Sequence, residues 1–286
     1  MEPIETSTEL VEQSGISFVI RVVDSLARKD EVRRALSAEA RGSGAERPNP
    51  FLPYDERLFV RDVSGTHVCL LNKFNVIDAH LLIVTRSFEE QDAPLDVQDF
   101  EALWSCLSEA GGLGFYNGGE AAGASQRHKH LQLIPLPLDE RLPDLPIEPL
   151  LMNAAPAEDG LLRAPGLPFV HVLVRLEGSR STGSVADELT RHYREMVDAL
   201  GLAGDNPSSA APRLAPYNLL VTREWMLLVP RSAEFFEKIS VNAIGFAGGL
   251  LVRSREQLEM VERVGPLTVL SRVAIESATR RGRRRG

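Results

Sequence analysis

His130 stands between His128 and Gln132, each two residues away, and this is the grouping in the chain best suited to covalent chemistry. Side chains alternate faces along a strand, so His128, His130 and Gln132 share one face while Lys129, Leu131 and Leu133 take the other. Polar groups at a strand centre are costly to bury without partners, so that face is expected to border a ligand cleft. Imidazole has an ordinary pKa of about 6.5, keeps a nitrogen unprotonated at neutral pH, and can attack phosphorus. If a carbonyl or a neighbour holds one nitrogen of His130, the other is aimed, and positioning is most of what phosphoryl transfer needs. Gln132 can hold a phosphoryl oxygen without titrating.

The preceding loop, Gly118 to Gln126, offers backbone amides and the Ser125 hydroxyl to an anionic polyphosphate. A His-x-His pair also fits a metal site, but Gln132 is a poor third ligand, so no metal is assigned to it. His80 reads either as a strand-start histidine satisfied by backbone or as a support for the site. His67, His171 and His192 read as structural or surface residues.

Several elements must position these groups. Thr66 to Leu71 and His80 to Thr85 read as paired antiparallel strands. Asp96 can cap a helix with Val97, Phe100, Leu103, Trp104 and Leu107 on one face, ended by Gly111-Gly112. Strands from Leu113 and from His128 then flank the Gly-rich loop. Phe18 to Asp24, with the charged segment after it, reads as an amphipathic helix; Arg41 to Pro53 is a loop; and the proline-rich stretch from Pro135 to Pro165 is a linker or excursion. The second half restarts with a strand at Phe169 to Val174, a helix from Ser184 capped by Gly201, and a hairpin turning at Arg223-Glu224. Two helical segments split at Gly265-Pro266 follow. The fold class is α+β, in two halves of similar style without a residue-level repeat.

With 286 residues and a net charge of −8, the chain is expected to bury a substantial core and to avoid general contact with nucleic acid. No apolar run is long enough for a membrane span and the start lacks a signal-peptide pattern, so a cytoplasmic protein is expected. Cys69 and Cys106 have no metal-site spacing and read as buried thiols. The run Arg280 to Arg285 reads as a solvated tail in preference to a nucleic-acid contact.

The His128-Lys129-His130-Leu131-Gln132 segment resembles the His-x-His-x-Gln motif of the transferase branch of the histidine triad superfamily, and more specifically the diadenosine tetraphosphate phosphorylase (ATP adenylyltransferase) family. Asn49-Pro50-Phe51-Leu52-Pro53, Asn72-Lys73-Phe74-Asn75-Val76, His80 to Thr85 and Ser125 to Gln132 follow in the family's order, and Tyr217 to Thr222, Val229-Pro230-Arg231 and Asn242 to Gly248 resemble its C-terminal region. The resemblance implies a histidine-triad-like antiparallel sheet with packed helices, the two halves forming one compact unit. It implies an N-terminal catalytic domain over 1–154 and a C-terminal ATP adenylyltransferase-like domain over 155–286. It further implies that His130 attacks diadenosine tetraphosphate, releases ATP and forms an adenylyl-histidine that phosphate resolves to ADP, with His128 and Gln132 in the catalytic group. Asn117, Gly123, Ala124, Ser125, Gln126 and Gln132 would contact phosphates, Asn72 and Lys73 the nucleotide, and Asn218 and Arg231 would reach in from the second half. A basic residue before Asn49 is also expected at the substrate.

The expected partners are therefore small-molecule nucleotides (diadenosine tetraphosphate, ATP and ADP) and phosphate, with no organic cofactor, no nucleic acid and no membrane. Magnesium is expected to assist by neutralising the polyphosphate. Gln132 cannot exchange a proton as a histidine there could, which suits an ionised phosphate acceptor. The same glutamine occurs in hexose-1-phosphate uridylyltransferases of this fold, but their zinc-binding Cys and His residues are not found here. The alternatives are hydrolysis of dinucleoside polyphosphates and a catalytically silent nucleotide sensor.

Overall fold

The computed structural model describes residues 7–23, 49–73, 75–142, 145–176, 185–203 and 213–277. The basic residues of 24–48 and the Arg280 to Arg285 run fall outside them.

Ten strands form one large sheet. They are β3 (Phe59–Asp62), β4 (His67–Leu71), β5 (Leu81–Thr85), β6 (Leu113–Gly118), β7 (His130–Ile134), β8 (Ala155–Pro156), β9 (Leu162–Arg163), β10 (Val172–Arg175), β11 (Tyr217–Val221) and β12 (Trp225–Pro230). Their spatial order is β3-β4-β5-β7-β6-β11-β12-β10-β9-β8, every pairing antiparallel. The first five strands thus lie 3-4-5-7-6 and the last five 8-9-10-12-11, the same connectivity twice, meeting at β6 and β11. Each half carries a helix between its third and fourth strands: α1 (Val97–Ala110) and, after the short α2 (Glu148–Met152), α3 (Val185–Ala199). The expectation of two α+β halves in one compact antiparallel unit matches this arrangement.

One sheet face is covered by α1 and α3. Phe100, Leu103 and Leu107 meet Leu189, Tyr193 and Met196 over Leu131, Leu133, Leu219 and Leu228. Helix α1 begins where expected, with Asp96 and Asp99 forming a capping box, and ends at Gly111, whose φ is 70°.

The other face is covered over the second half and over Leu113, Phe115 and Ile134 at the ends of β6 and β7. There the hairpin β1 (Ser7–Gln13) and β2 (Ile16–Val22), with β15 (Gly249–Val252), makes a three-stranded sheet. With α4 (Ala243–Ala247), α5 (Arg255–Val264) and α6 (Pro266–Val273) it buries Leu220, Leu227 and Val229. Two small strands, β13 (Phe235–Phe236) and β14 (Ile239–Ser240), pair beside it.

The helix expected from Phe18 is strand β2. Its Phe18, Val19, Ile20 and Val22 are all buried, because β1 pairs with it on one side and β15 runs parallel on the other. A run buried all round needs no helical period, and aromatic and β-branched residues favour the strand. The stretch read as a linker contains α2, β8 and β9, held by the buried Leu145, Ile147 and Leu151.

Candidate active site

The second half's covered face explains where chemistry can sit. Counting outward from the central pair Tyr116↔Leu219, the positions of His130 and Gln132 in β7 correspond to Leu227 and Val229 in β12. Both of these are packed under the three-stranded sheet and its helices. In the first half that cover reaches Leu113, Phe115 and Ile134 but not His130 and Gln132, and beyond it Phe51 lies against Val68, Leu70, Leu82 and Val84.

His130 is 4 % exposed. Its Nδ1 donates to the His128 carbonyl at 2.8 Å, which leaves Nε2 as the unprotonated nitrogen. Nε2 has no hydrogen-bond partner among the described residues. Nε2 is not among the fully sealed, unpartnered side-chain atoms of the described residues, which are Asp92 Oδ1, Glu188 Oε2 and Ser271 Oγ. Burial pushes the His130 pKa down to about 4, against the opposing hydrogen bond to the His128 carbonyl. The ring is therefore neutral and nucleophilic at neutral pH.

His128 is also held in one tautomer. Its Nε2 donates to the Thr85 carbonyl at 2.8 Å, with the Thr85 hydroxyl at 2.9 Å, and its Nδ1 accepts from Asn49 Nδ2 at 2.9 Å. Phe51 and Phe88 stand edge-on to its ring, and Phe51 also reaches the His130 ring, with centroids 5.4 Å apart. His128 thus acts on His130 through its carbonyl, while its own ring nitrogens are engaged elsewhere. The strand expected from His128 begins at His130; His128 makes only a single bridge, to Glu90.

His80 is a support for the site. Asn72 Nδ2 donates to His80 Nδ1 at 3.2 Å, and His80 Nε2 donates to Gln132 Oε1 at 2.9 Å. This chain fixes the Gln132 amide with its oxygen occupied and its NH2 available to an acceptor. Burial pushes the His80 pKa down to about 4, despite the hydrogen bond to Gln132. Lys73 is exposed just beyond Asn72, at the end of β4.

Two buried imidazoles held neutral make stability pH-dependent. An unfolded chain protonates them near pH 6.5, whereas the folded chain does so only near pH 4. Stability is therefore lost as pH falls from 6.5 to 4, by up to about 1.4 kcal/mol per pH unit for each ring. Denaturant midpoints across pH 7 to 4.5 check this, and His130→Gln should reduce the slope, the remainder coming from His80 and from His128 and His171, whose pKa values burial also lowers. A slope unchanged by that substitution would remove His130 from the account.

The loop uses its early amides internally. Ala122 and Ala124 N–H donate to the Gly119 carbonyl, and Gly123 N–H donates to the Glu120 carbonyl. This leaves Ser125 and Gln126 without hydrogen-bond partners among the described residues, as groups free to meet an anion. Gly118 and Gly123 are required sterically. A Cβ on Gly118 would lie 2.4 Å from the Tyr217 ring, and Gly123 has φ of 89° with Asn242 and Val241 about it.

Asn117, Asn218 and Arg231 form a layer beneath this loop. Asn117 Oδ1 accepts from Asn218 Nδ2 at 2.8 Å and from Ala243 N–H at 3.0 Å. Arg231 donates to the carbonyls of Val273, Ala122, Ala233 and Val241 and to Asn218 Oδ1. These bonds occupy its guanidinium, which is 3 % exposed and stacks on Phe246. The expected reach of Asn218 and Arg231 to substrate is replaced by a role under the loop, because their polar atoms are taken by the protein. Burial pushes the Arg231 pKa down to about 10, still a cation at neutral pH.

On the helix side of β7, Lys129 Nζ donates to Glu89 at 2.7 Å, to Asp99 at 3.1 Å and to the Pro94 carbonyl at 3.2 Å. Asp99 also meets His67 Nε2 at 3.1 Å. Burial disfavours the Lys129 ammonium, but Asp99 and Glu89 outweigh it and hold its pKa above the ordinary value. This network ties the capped start of α1 to the residue between the two histidines. Motif reading passes over Asn49's bond to His128, over Thr85, and over Gln91, which sits in a polar run typical of a loop.

Among the described residues, no group of three or more His, Cys, Asp or Glu is placed to hold a metal ion, and no helix is long and apolar enough to cross a membrane. Cys69 and Cys106 are free and buried.

Two family models cover most of the chain. The Ap4A phosphorylase N-terminal domain matches residues 1–153, and the ATP adenylyltransferase C-terminal domain matches residues 165–276. Diadenosine 5',5'''-P1,P4-tetraphosphate phosphorylase 2 of Saccharomyces cerevisiae is 28% identical over 276 residues, covering 86% of this chain and 79% of its own length. Protein APA1 of the same yeast is 28% identical over 277 residues, covering 88% and 80%. The crystal structure of yeast Ap4A phosphorylase Apa2 matches with a TM-score of 0.75 at 25% identity, covering 96% of this chain and 92% of that one. Apa2 in complex with Ap4A and with AMP matches with TM-scores of 0.75 and 0.74.

Proposed function

The chain belongs to the Ap4A phosphorylase (ATP adenylyltransferase) family and is a nucleotidyltransferase, and from that premise we propose that it phosphorolyses diadenosine tetraphosphate, reversibly, through an adenylyl group carried on His130. The observation that carries this reading is the His130 ring. Nδ1–H is fixed on the His128 carbonyl and Nε2 is left without a partner, in a chain whose yeast relative has been crystallised with Ap4A and with AMP.

In this reading the Nε2 lone pair forms a bond to the α-phosphorus as the bridging P–O bond breaks, and ATP leaves with that electron pair. The imidazolium so formed keeps its Nδ1 proton on the His128 carbonyl, which faces the developing positive charge. A phosphate oxygen then attacks the adenylyl phosphorus from the vacated side. The N–P pair returns to Nε2, and ADP departs. The Gln132 amide, held by His80, donates to a phosphoryl oxygen, and Ser125 and Gln126 receive the anionic chain. In this reading a magnesium ion assists by neutralising the charge of the polyphosphate.

The test is incubation with diadenosine tetraphosphate, with and without inorganic phosphate, followed by nucleotide chromatography and intact-protein mass. ATP plus ADP only with phosphate, and an adenylylated protein without it, are the expected results. AMP plus ATP regardless of phosphate would make the protein a hydrolase, and binding without adduct or turnover would make it a sensor.

A further inference from the structure

We propose that Gln91 is a positioning residue for His130, acting as a side-chain clamp in a gap between β6 and β7; this rests on His130 being the nucleophile. The β6/β7 ladder stops at Phe115↔Gln132. Continued by two residues it would set Asn117 against His130, but the Gln91 carboxamide occupies that gap. Its Oε1 accepts from the His130 N–H at 2.8 Å, and its Nε2 donates to the carbonyls of His130 at 3.2 Å and Asn117 at 3.0 Å.

One amide therefore satisfies both main-chain groups of the nucleophile and joins them to the residue that opens the Gly-rich loop. Gln91 is itself held at both ends of its backbone. Its N–H donates to the Arg127 carbonyl at 2.7 Å, and its carbonyl accepts from the buried Tyr116 hydroxyl at 2.6 Å. With its own main chain fixed, its side chain sets the spacing of the two strands where the site begins. His130 takes its direction from the backbone of 128–130, so moving that backbone moves Nε2 with it. A side chain in place of a ladder lets the strands part around the loop without leaving buried donors or acceptors unmet.

Gln91→Met keeps length and bulk and removes all three bonds. In single-turnover reaction with diadenosine tetraphosphate, it should slow adduct formation by about 100-fold while leaving the substrate KM within about threefold, as expected for misplacement of a reacting atom. Gln91→Glu keeps the acceptor for the His130 N–H and regains a donor only when its carboxyl is protonated, which burial favours. Its rate relative to wild type should therefore rise as pH falls from 8 to 6. A purely bulk-filling residue would give no such trend, and this variant carries the test if Gln91→Met does not fold. Wild-type rates in Gln91→Met, a loss confined to KM, or a flat pH ratio in Gln91→Glu would overturn the clamp. If the wild-type protein forms no adduct, the nucleotidyl-transfer reading fails instead. The clamp is then judged on the His130 ring 15N signals, which should change in the Gln91 variants and whose constancy would refute it.

Discussion

If His130 is the nucleophile proposed above, His130→Ala is expected to eliminate the adenylyl adduct and to lower phosphorolysis by about 10⁴-fold or more. The neighbouring His128 cannot substitute, because Thr85 and Asn49 occupy its two ring nitrogens. His80 cannot either, because it lies between Asn72 and Gln132. The fold should survive, since the substitution removes one hydrogen bond and strips the His128 carbonyl of a partner, at a cost of about 1–3 kcal/mol. Circular dichroism and a melting curve would verify the fold beside the activity and intact-mass measurements. An alanine variant that is still adenylylated would move the nucleophile elsewhere.

Arg231→Met is expected to have the largest effect on stability. It strands the carbonyls of Val273, Ala122, Ala233 and Val241 and the Asn218 side chain in a buried layer. With partial relaxation the loss should be about 3–5 kcal/mol. For a chain of this size that lowers Tm by roughly 10 °C. Arg231→Lys should recover little, because an ammonium cannot reproduce the guanidinium's planar fork. Activity should fall along with stability, since Ala122 belongs to the Gly-rich loop. A raised KM with an unchanged Tm would instead mean that Arg231 touches substrate directly.

Much of the first half was legible because its signals are local. The Asp96 cap, the Gly111-Gly112 stop, the paired apolar runs of β4 and β5, and the alternation that separates His130 and Gln132 from Leu131 and Leu133 all depend on near neighbours. Phe18 to Val22 was misread because a short apolar run fits helix or strand equally until its neighbours are known, and one of those, β15, is more than 200 residues away. Arg231 was expected at the substrate from the family resemblance alone, and a motif shows a residue's type but not its burial. In the fold, carbonyls from three separate segments converge on it, and they leave no donor for a ligand.

Residue type and spacing alone determined which atoms could do chemistry: an imidazole with polar neighbours on one strand face, beside a loop small enough for an anion to approach. Tertiary structure decided that the face carrying these groups is left free of the second half's cover. The β1-β2-β15 sheet and its helices close over Leu227 and Val229 but do not include His130 and Gln132 in their core. It also decided how His130 and its motif neighbours are held, through Gln91, His80 and Asn49, which reach the motif from other segments. Orientation depends on contacts between residues distant in the chain, and those exist only once the sheet has brought them together.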